Sequence, residues 1–305
     1  IKFKTLNRMR KIALLIAILM MPAVMVFAAQ SNLPKCQGED YKKWDNCYGY
    51  FKFPRGSYEG QWKKGNLEGK GKLIEAWGDV YEGDFKNNKA DGFGAYKMQD
   101  GHSYIGEWKN DLYEGKGIFI YKNGDKIEGN FKNHLTNGKA VLTYVNGSIY
   151  KGEFKDDLFH GKGIHTYTED LEVIKYEGDF KEDLRSGKGT LTYKNGSVYK
   201  GELKNNWEHG TGTMIYKEDP DGWFKYDGEW NDALEDGKGE LEFVNGDRYV
   251  GTFKKSRFHG NGTIIFSDGG KYEGEWKDGY RQGKGEYKYK SGSVYRGKFE
   301  KNEAD

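Results

Sequence analysis

Cysteine is scarce in this chain. There are two in 305 residues, Cys36 and Cys47, in one short stretch near the N-terminus. That excludes a disulfide-dense framework, and with no histidine nearby two thiols make a poor zinc site. It leaves one disulfide closing a short loop, expected to order an N-terminal cap and to contribute about 3 kcal/mol. Catalytic signatures are missing as well. The chain has no Gly-x-Ser-x-Gly, no phosphate loop ending in Gly-Lys-(Ser/Thr) and no His-Glu-x-x-His. Carboxylates are plentiful, but they recur beside lysines at outward strand positions, as a solvated face does. The expectation is a non-enzymatic protein without cofactor or metal. An excess of one charge is absent too. Residues 1–28 hold five basic residues and no acid, which leaves 44 basic against 47 acidic residues in the remainder. That balance excludes the electrostatic footprint of a nucleic-acid binder and weakens simple attraction to anionic lipid.

Long apolar runs are lacking everywhere except at the start. Met9-Arg10-Lys11 forms a short basic region, Ile12 to Phe27 is continuously apolar with Pro22 inside it, and Val26-Phe27-Ala28 supplies small residues at its end. This pattern predicts a signal helix over residues 1–28, cleaved after Ala28, with Met9 as an alternative start. An uncleaved anchor over residues 12–29 is the other reading, near the lower length limit for a spanning helix. The chain is therefore expected to be exported, to a periplasm or the cell exterior.

What is abundant is repetition. Tyr-x-Gly-x-(Trp/Phe) opens at Tyr58 and returns at Tyr81, Tyr104, Tyr150, Tyr176, Tyr199, Tyr226, Tyr249, Tyr272 and Tyr295, with Ile127 once in the tyrosine slot. Most steps are 23 residues, and two are 26 and 27. Such a period means one small unit stacked many times. In the unit from Gly187, Leu191 and Tyr193 alternate with Thr190, Thr192 and Lys194. Tyr199, Gly201 and Leu203 alternate with Lys200 and Glu202. Period two means strand, and Asn195-Gly196 between them is expected to supply the positive backbone angles of a tight turn. The prediction is an all-β fold, an elongated single-layer antiparallel sheet of stacked β-hairpins. Residues 29–48 would form the stapled cap and residues 49–305 the array, about ten full repeats with half repeats at the ends.

The glycines follow from the rings. Gly60, Gly83 and Gly106 sit between a Tyr and a Trp or Phe, and Gly69-x-Gly71 opens the next strand, leaving bulky rings somewhere to lie. Such a sheet is expected to curl so that its aromatic side lines a trough. The candidate binding aromatics there are Tyr58, Trp62, Tyr81, Phe85, Tyr104, Trp108, Tyr226, Trp230, Tyr272 and Trp276, with the alternative that the same rings are simply core. Trp223 and Phe224 follow the turn Pro220-Asp221-Gly222 in a long repeat and could pack back or form a contact site. His160, His209 and His259 share one position in every second unit, about 19 Å apart, too wide for one metal ion.

Tyr-x-Gly-x-(Trp/Phe), a polar connection and Gly-x-Gly-x-(Leu/Tyr) at this period resemble the MORN (membrane occupation and recognition nexus) repeat, of the exported bacterial type. Glu59-Gly60-Gln61-Trp62 and Tyr272-Glu273-Gly274-Glu275-Trp276 are close matches. The departures are Ile127 for Tyr, Leu203 for the aromatic, Ala140 for the second Gly and Glu75 where other units carry Tyr or Phe. The bare repeat array, the export signal and the missing chemistry point to a scaffold whose partner is a protein or an envelope component, whereas the family name implies membrane binding. The alternatives are a membrane lipid, or a glycan stacked on the aromatic side, and a homodimer through the sheet edges.

Overall fold

The computed structural model describes residues 32–168 and 171–304. The expected signal helix, its cleavage site and the alternative anchor lie outside the described residues. Among those residues no helix is long and apolar enough to cross a membrane. Among the described residues the one helical element is the 3-10 turn Tyr41–Lys43, and the rest of the regular structure is 23 β-strands. Every strand pair is antiparallel, as in Gly187↔Leu203 through Thr192↔Val198, so the class is all-β. Two compact units are recognised. One runs to Gln99 and takes in Glu107–Asp111, and the other holds Asp100–Gly106 and the chain from Leu112 onward.

In the first unit Cys36 and Cys47 are disulfide-bonded, with Cα atoms 5.0 Å apart. The bond holds Lys35 beside Tyr48 in a parallel bridge at the outer edge of the strand Cys47–Phe53. Trp44, Tyr41, Phe51 and Phe53 gather around Trp62 with centroids 5.0–6.5 Å away, closing the first end of the aromatic stack.

Each repeat is a β-hairpin, and a second turn joins it to the next. Asn195-Gly196 does connect paired strands, but only the glycine has positive φ, at 89°. Gly196 N–H donates to the Tyr193 carbonyl, which closes the β-turn, and Ser197 N–H donates to the Asn195 side chain in an Asx bond. The two-residue turn with both φ values positive, which matches strand twist, lies at the other, polar connection. Asn205 and Asn206 have φ of 50° and 76°, and Asp156-Asp157 and Asn133-His134 behave alike. The second residue of several of these turns is Asn or Asp, for two reasons. Both residue types tolerate the left-handed region. Their side chains also accept a backbone N–H from the preceding hairpin: Thr136 to Asp157 at 2.6 Å, Phe159 to Asp183 at 2.7 Å, Arg185 to Asn206 at 2.9 Å.

Candidate functional site

The repeat's conserved-looking geometry is built around its tyrosine. Tyr150 lies flat over two glycines, Gly152 of its own strand and Gly163 opposite it. A Cβ on Gly163 would sit 2.6 Å from the Tyr150 hydroxyl. The other glycine of Gly-x-Gly does a different job: Gly161 has φ 58° at an irregularity that leaves the ladder broken after Gly152. The Tyr150 hydroxyl then donates to the Glu153 carbonyl at 2.9 Å, just past that break. The same bond recurs from Tyr58 to Gln61, Tyr176 to Asp179 and Tyr272 to Glu275. Burial raises the pKa of these phenols, so they stay protonated donors at any physiological pH.

The departing repeat shows why the glycines are there. Ile127 has no ring to lay over the strand pair, and the position opposite Gly129 is Ala140. A methyl fits where no tyrosine lies, and Ile127, Ala140 and the overlying Thr136 are all buried.

The ten aromatic candidates are therefore placed in the interior, 0–7% exposed. Edge-to-face contacts link them: Tyr58 to Trp62 and Phe85 at 5.2 and 5.1 Å, Tyr81 to Trp108 at 4.9 Å, Tyr226 to Trp230 at 5.2 Å, Tyr272 to Trp276 at 5.2 Å. The indoles are also spoken for. Trp62, Trp108, Trp230 and Trp276 each donate to a glycine carbonyl, at 3.0–3.1 Å. A second row covers the tyrosines: Tyr113 stacks on Tyr104 at 3.8 Å, Phe159 on Tyr150 at 3.6 Å, and Arg281 lies 5.6 Å above Tyr272. Where the cover is Glu208 or Glu235, its buried carboxylate accepts from Tyr193 or Tyr216. Tyr104 lies in the second unit and Trp108 in the first.

In the first unit a cavity of about 870 Å³ is lined by rings, among them Tyr41, Phe53, Trp62 and Trp77. On the face opposite the ten candidate rings, a groove of about 1190 Å³ in the second unit is lined from Glu128 to Asp227 by lysines, acids, threonines, glycines, Ala140, Val141 and Ile164, with no aromatic ring. The rings cannot line it because each already fills the space above a glycine pair. Five lysines (Lys139, Lys151, Lys162, Lys188, Lys200) face five acids (Glu128, Glu153, Glu177, Glu202, Asp227), so the lining is neutral in sum. Lys162 pairs with Asp179 at 2.6 Å. Lys139, Lys151, Lys188 and Lys200 make no ion pair among the described residues.

Trp223 belongs to the strand Trp223–Asn231 and packs back, 5.6 Å from Tyr216 and 6.5 Å from Phe253, whereas Phe224 is 46% exposed. His209 and His259 sit beside the neighbouring turn, with Nδ1 3.6 Å from Asp232 and 3.9 Å from Asp278. No group of three or more metal-ligating side chains occurs among the described residues. The groove residues escaped the sequence reading. Their signal is the position after each tyrosine, or after Ile127 in its slot: Glu128, Lys151, Glu177, Lys200 and Asp227 alternate in sign at successive repeats.

Among solved structures, the chain is similar to the TCP10 domain of Danio rerio CPAP in complex with a peptide of STIL. That likeness has 12% identity and a TM-score of 0.37 over 68% of this chain and 96% of that one. The TCP domain of Drosophila melanogaster SAS-4 with a proline-rich motif of Ana2 follows, at 14% identity and 0.28, over 60% and 83%. Virginiamycin B lyase from Staphylococcus aureus gives 12% and 0.16, over 83% and 84%. No curated protein matches the chain. The MORN repeat family matches ten times, at residues 58–80, 81–103, 104–126, 128–149, 150–169, 176–198, 199–218, 226–248, 249–271 and 272–294. With its tyrosine, glycine and aromatic positions filled as described in ten successive units, the chain belongs to the MORN repeat family.

Proposed function

We propose that this protein is a non-enzymatic, exported scaffold that binds an extended polypeptide segment along the groove of its second unit. The observation that carries the reading is the groove's lining: equal numbers of lysines and acids, threonine hydroxyls and aliphatic side chains, without a ring. A polyanion such as nucleic acid, or an anionic lipid surface, calls for an excess of basic residues. A glycan calls for exposed rings to stack on, and this groove has none, because exposed rings such as Trp207 and Tyr280 lie outside its lining. A polypeptide offers charges of both signs, carbonyl acceptors and apolar side chains, and so complements this lining. Repeat surfaces suit such extended partners. The disulfide between Cys36 and Cys47 fits an oxidising compartment.

The test is a photo-crosslinking amino acid placed in the full chain, at Thr190 on the groove or at Phe224, an exposed residue outside the groove lining. The expected result is a polypeptide adduct, identified by mass, from Thr190 and not from Phe224. Adducts from Phe224 alone, or lipid or glycan adducts at Thr190, would overturn the reading.

A further inference from the structure

The groove carries a charge pattern with a defined pitch. Across nine adjacent strands the central row reads Glu128, Lys151, Glu177, Lys200, Asp227 on every second strand. The strands between contribute Val141, Ile164, Thr190 and Thr213 at the same level. Each internal charge therefore faces β-branched neighbours across the sheet: Lys151 faces Val141 and Ile164, Glu177 faces Ile164 and Thr190, Lys200 faces Thr190 and Thr213. This differs from the parallel row in the same groove. There Lys139 faces Glu153, Lys162 faces Asp179 and Lys188 faces Glu202, the opposite-charge pairing that stabilises a sheet. Sheet stability explains that second row. It does not explain the central one, whose signs alternate between residues two strands apart. Glu128 and Glu177 reach same-strand lysines, Lys126 at 3.3 Å and Lys175 at 2.9 Å. Lys151, Lys200 and Asp227 have no ion pair among the described residues.

Two strand spacings amount to about 9.6 Å. One turn of a polyproline II helix is three residues and about 9.3 Å, and it returns every third side chain to the same face. A β-strand cannot do this, because residues three apart point to opposite faces. An α-helix returns a side chain near this spacing only after seven residues, at about 10.5 Å. Resting on the polypeptide reading above, we propose that the groove takes a segment in polyproline II conformation whose charges recur every third residue with alternating sign, basic opposite Glu128, Glu177 and Asp227 and acidic opposite Lys151 and Lys200. Five such positions span about 37 Å, against about 38 Å for the eight strand intervals. Thr190 and Thr213 supply hydroxyls for the carbonyls that this conformation leaves unpaired.

The test uses the full chain and synthetic thirteen-residue peptides in a proline and alanine background, with binding read by calorimetry at low and physiological salt. The register peptide is Lys-x-x-Glu-x-x-Lys-x-x-Glu-x-x-Lys. Its control has the same five charges at every second residue. Exposed ion pairs contribute about a factor of two each, so five in register give about thirtyfold tighter binding than the control. The variant Lys151→Glu with Glu177→Lys keeps net charge and composition. It is expected to bind the register peptide about tenfold more weakly, and to recover with Lys-x-x-Lys-x-x-Glu-x-x-Glu-x-x-Lys. A melting midpoint equal to wild type shows that the variant folds. Equal affinity for register and control peptides, no effect of the swap, or no saturable binding of any peptide would overturn the proposal. If the peptides fail while Thr190 still crosslinks a polypeptide, the register falls and the groove reading stands. If both fail, both fall.

Discussion

Tyr150 and Gly163 act as one unit, and the chain contains its own control in Ile127 and Ala140. Gly163→Ala forces a methyl into the tyrosine ring, 2.7 Å from its nearest ring carbons, and is expected to cost about 2–3 kcal/mol. Tyr150→Ile removes a buried ring and a hydrogen bond, at about 3 kcal/mol. Together the two changes recreate the Ile127 unit, so the pair should cost at least about 1 kcal/mol less than their sum in urea titrations. Additive losses would mean that the glycine is not held by the ring. His165 gives a pH prediction. It lies among Tyr144, Tyr150, Phe159 and Tyr167, and burial, helped by Arg185, pushes its pKa down to about 4. The folded state thus favours the neutral ring, while the unfolded chain takes up a proton near pH 6.5. Its contribution is complete above about pH 6.5 and is lost as the pH falls toward 4. His165→Phe should therefore lose less melting temperature than wild type between pH 7 and pH 4.

At the level of the turn, the two-residue connections show where sequence reading reached and where it stopped. Asn195-Gly196 is legible because the dipeptide is a known turn signal, yet only its glycine has positive φ. The turns with two positive φ values are Asp156-Asp157, Glu182-Asp183 or Asn205-Asn206, which no dipeptide rule picks out. What selects them is the cap they offer the preceding hairpin, a contact between residues about 21 positions apart. Ala233 occupies such a position with φ 66° and has no side chain to accept an N–H. Ala233→Asn should stabilise the chain by about 1 kcal/mol, from relieved left-handed strain and an added cap on the Glu208 N–H. An unchanged melting midpoint would argue against the capping account. In the first unit, Cys36→Ser with Cys47→Ser should lower stability by about 3 kcal/mol. The loss should appear as faster hydrogen exchange in Cys47–Phe53 and Gly56–Lys63, the strands the cap covers.

Across the molecule, the hairpin fold and its aromatic side were legible from alternation and period alone, because burial on one face imposes both. The side on which the groove lies was not, since alternation separates two faces without saying which one is concave. That is decided by the tyrosines. Each one thickens the aromatic side over a glycine pair and leaves the open space to the lysines and acids. The central claim is this division of labour: rings for the fold, the charged face for the partner. The most direct measurement combines the swap Lys151→Glu with Glu177→Lys and the crosslinker at Thr190. The account predicts a melting midpoint within about 1 °C of wild type, as expected for surface changes, with the polypeptide adduct lost. An adduct of unchanged yield, or a swap that unfolds the chain, would contradict it.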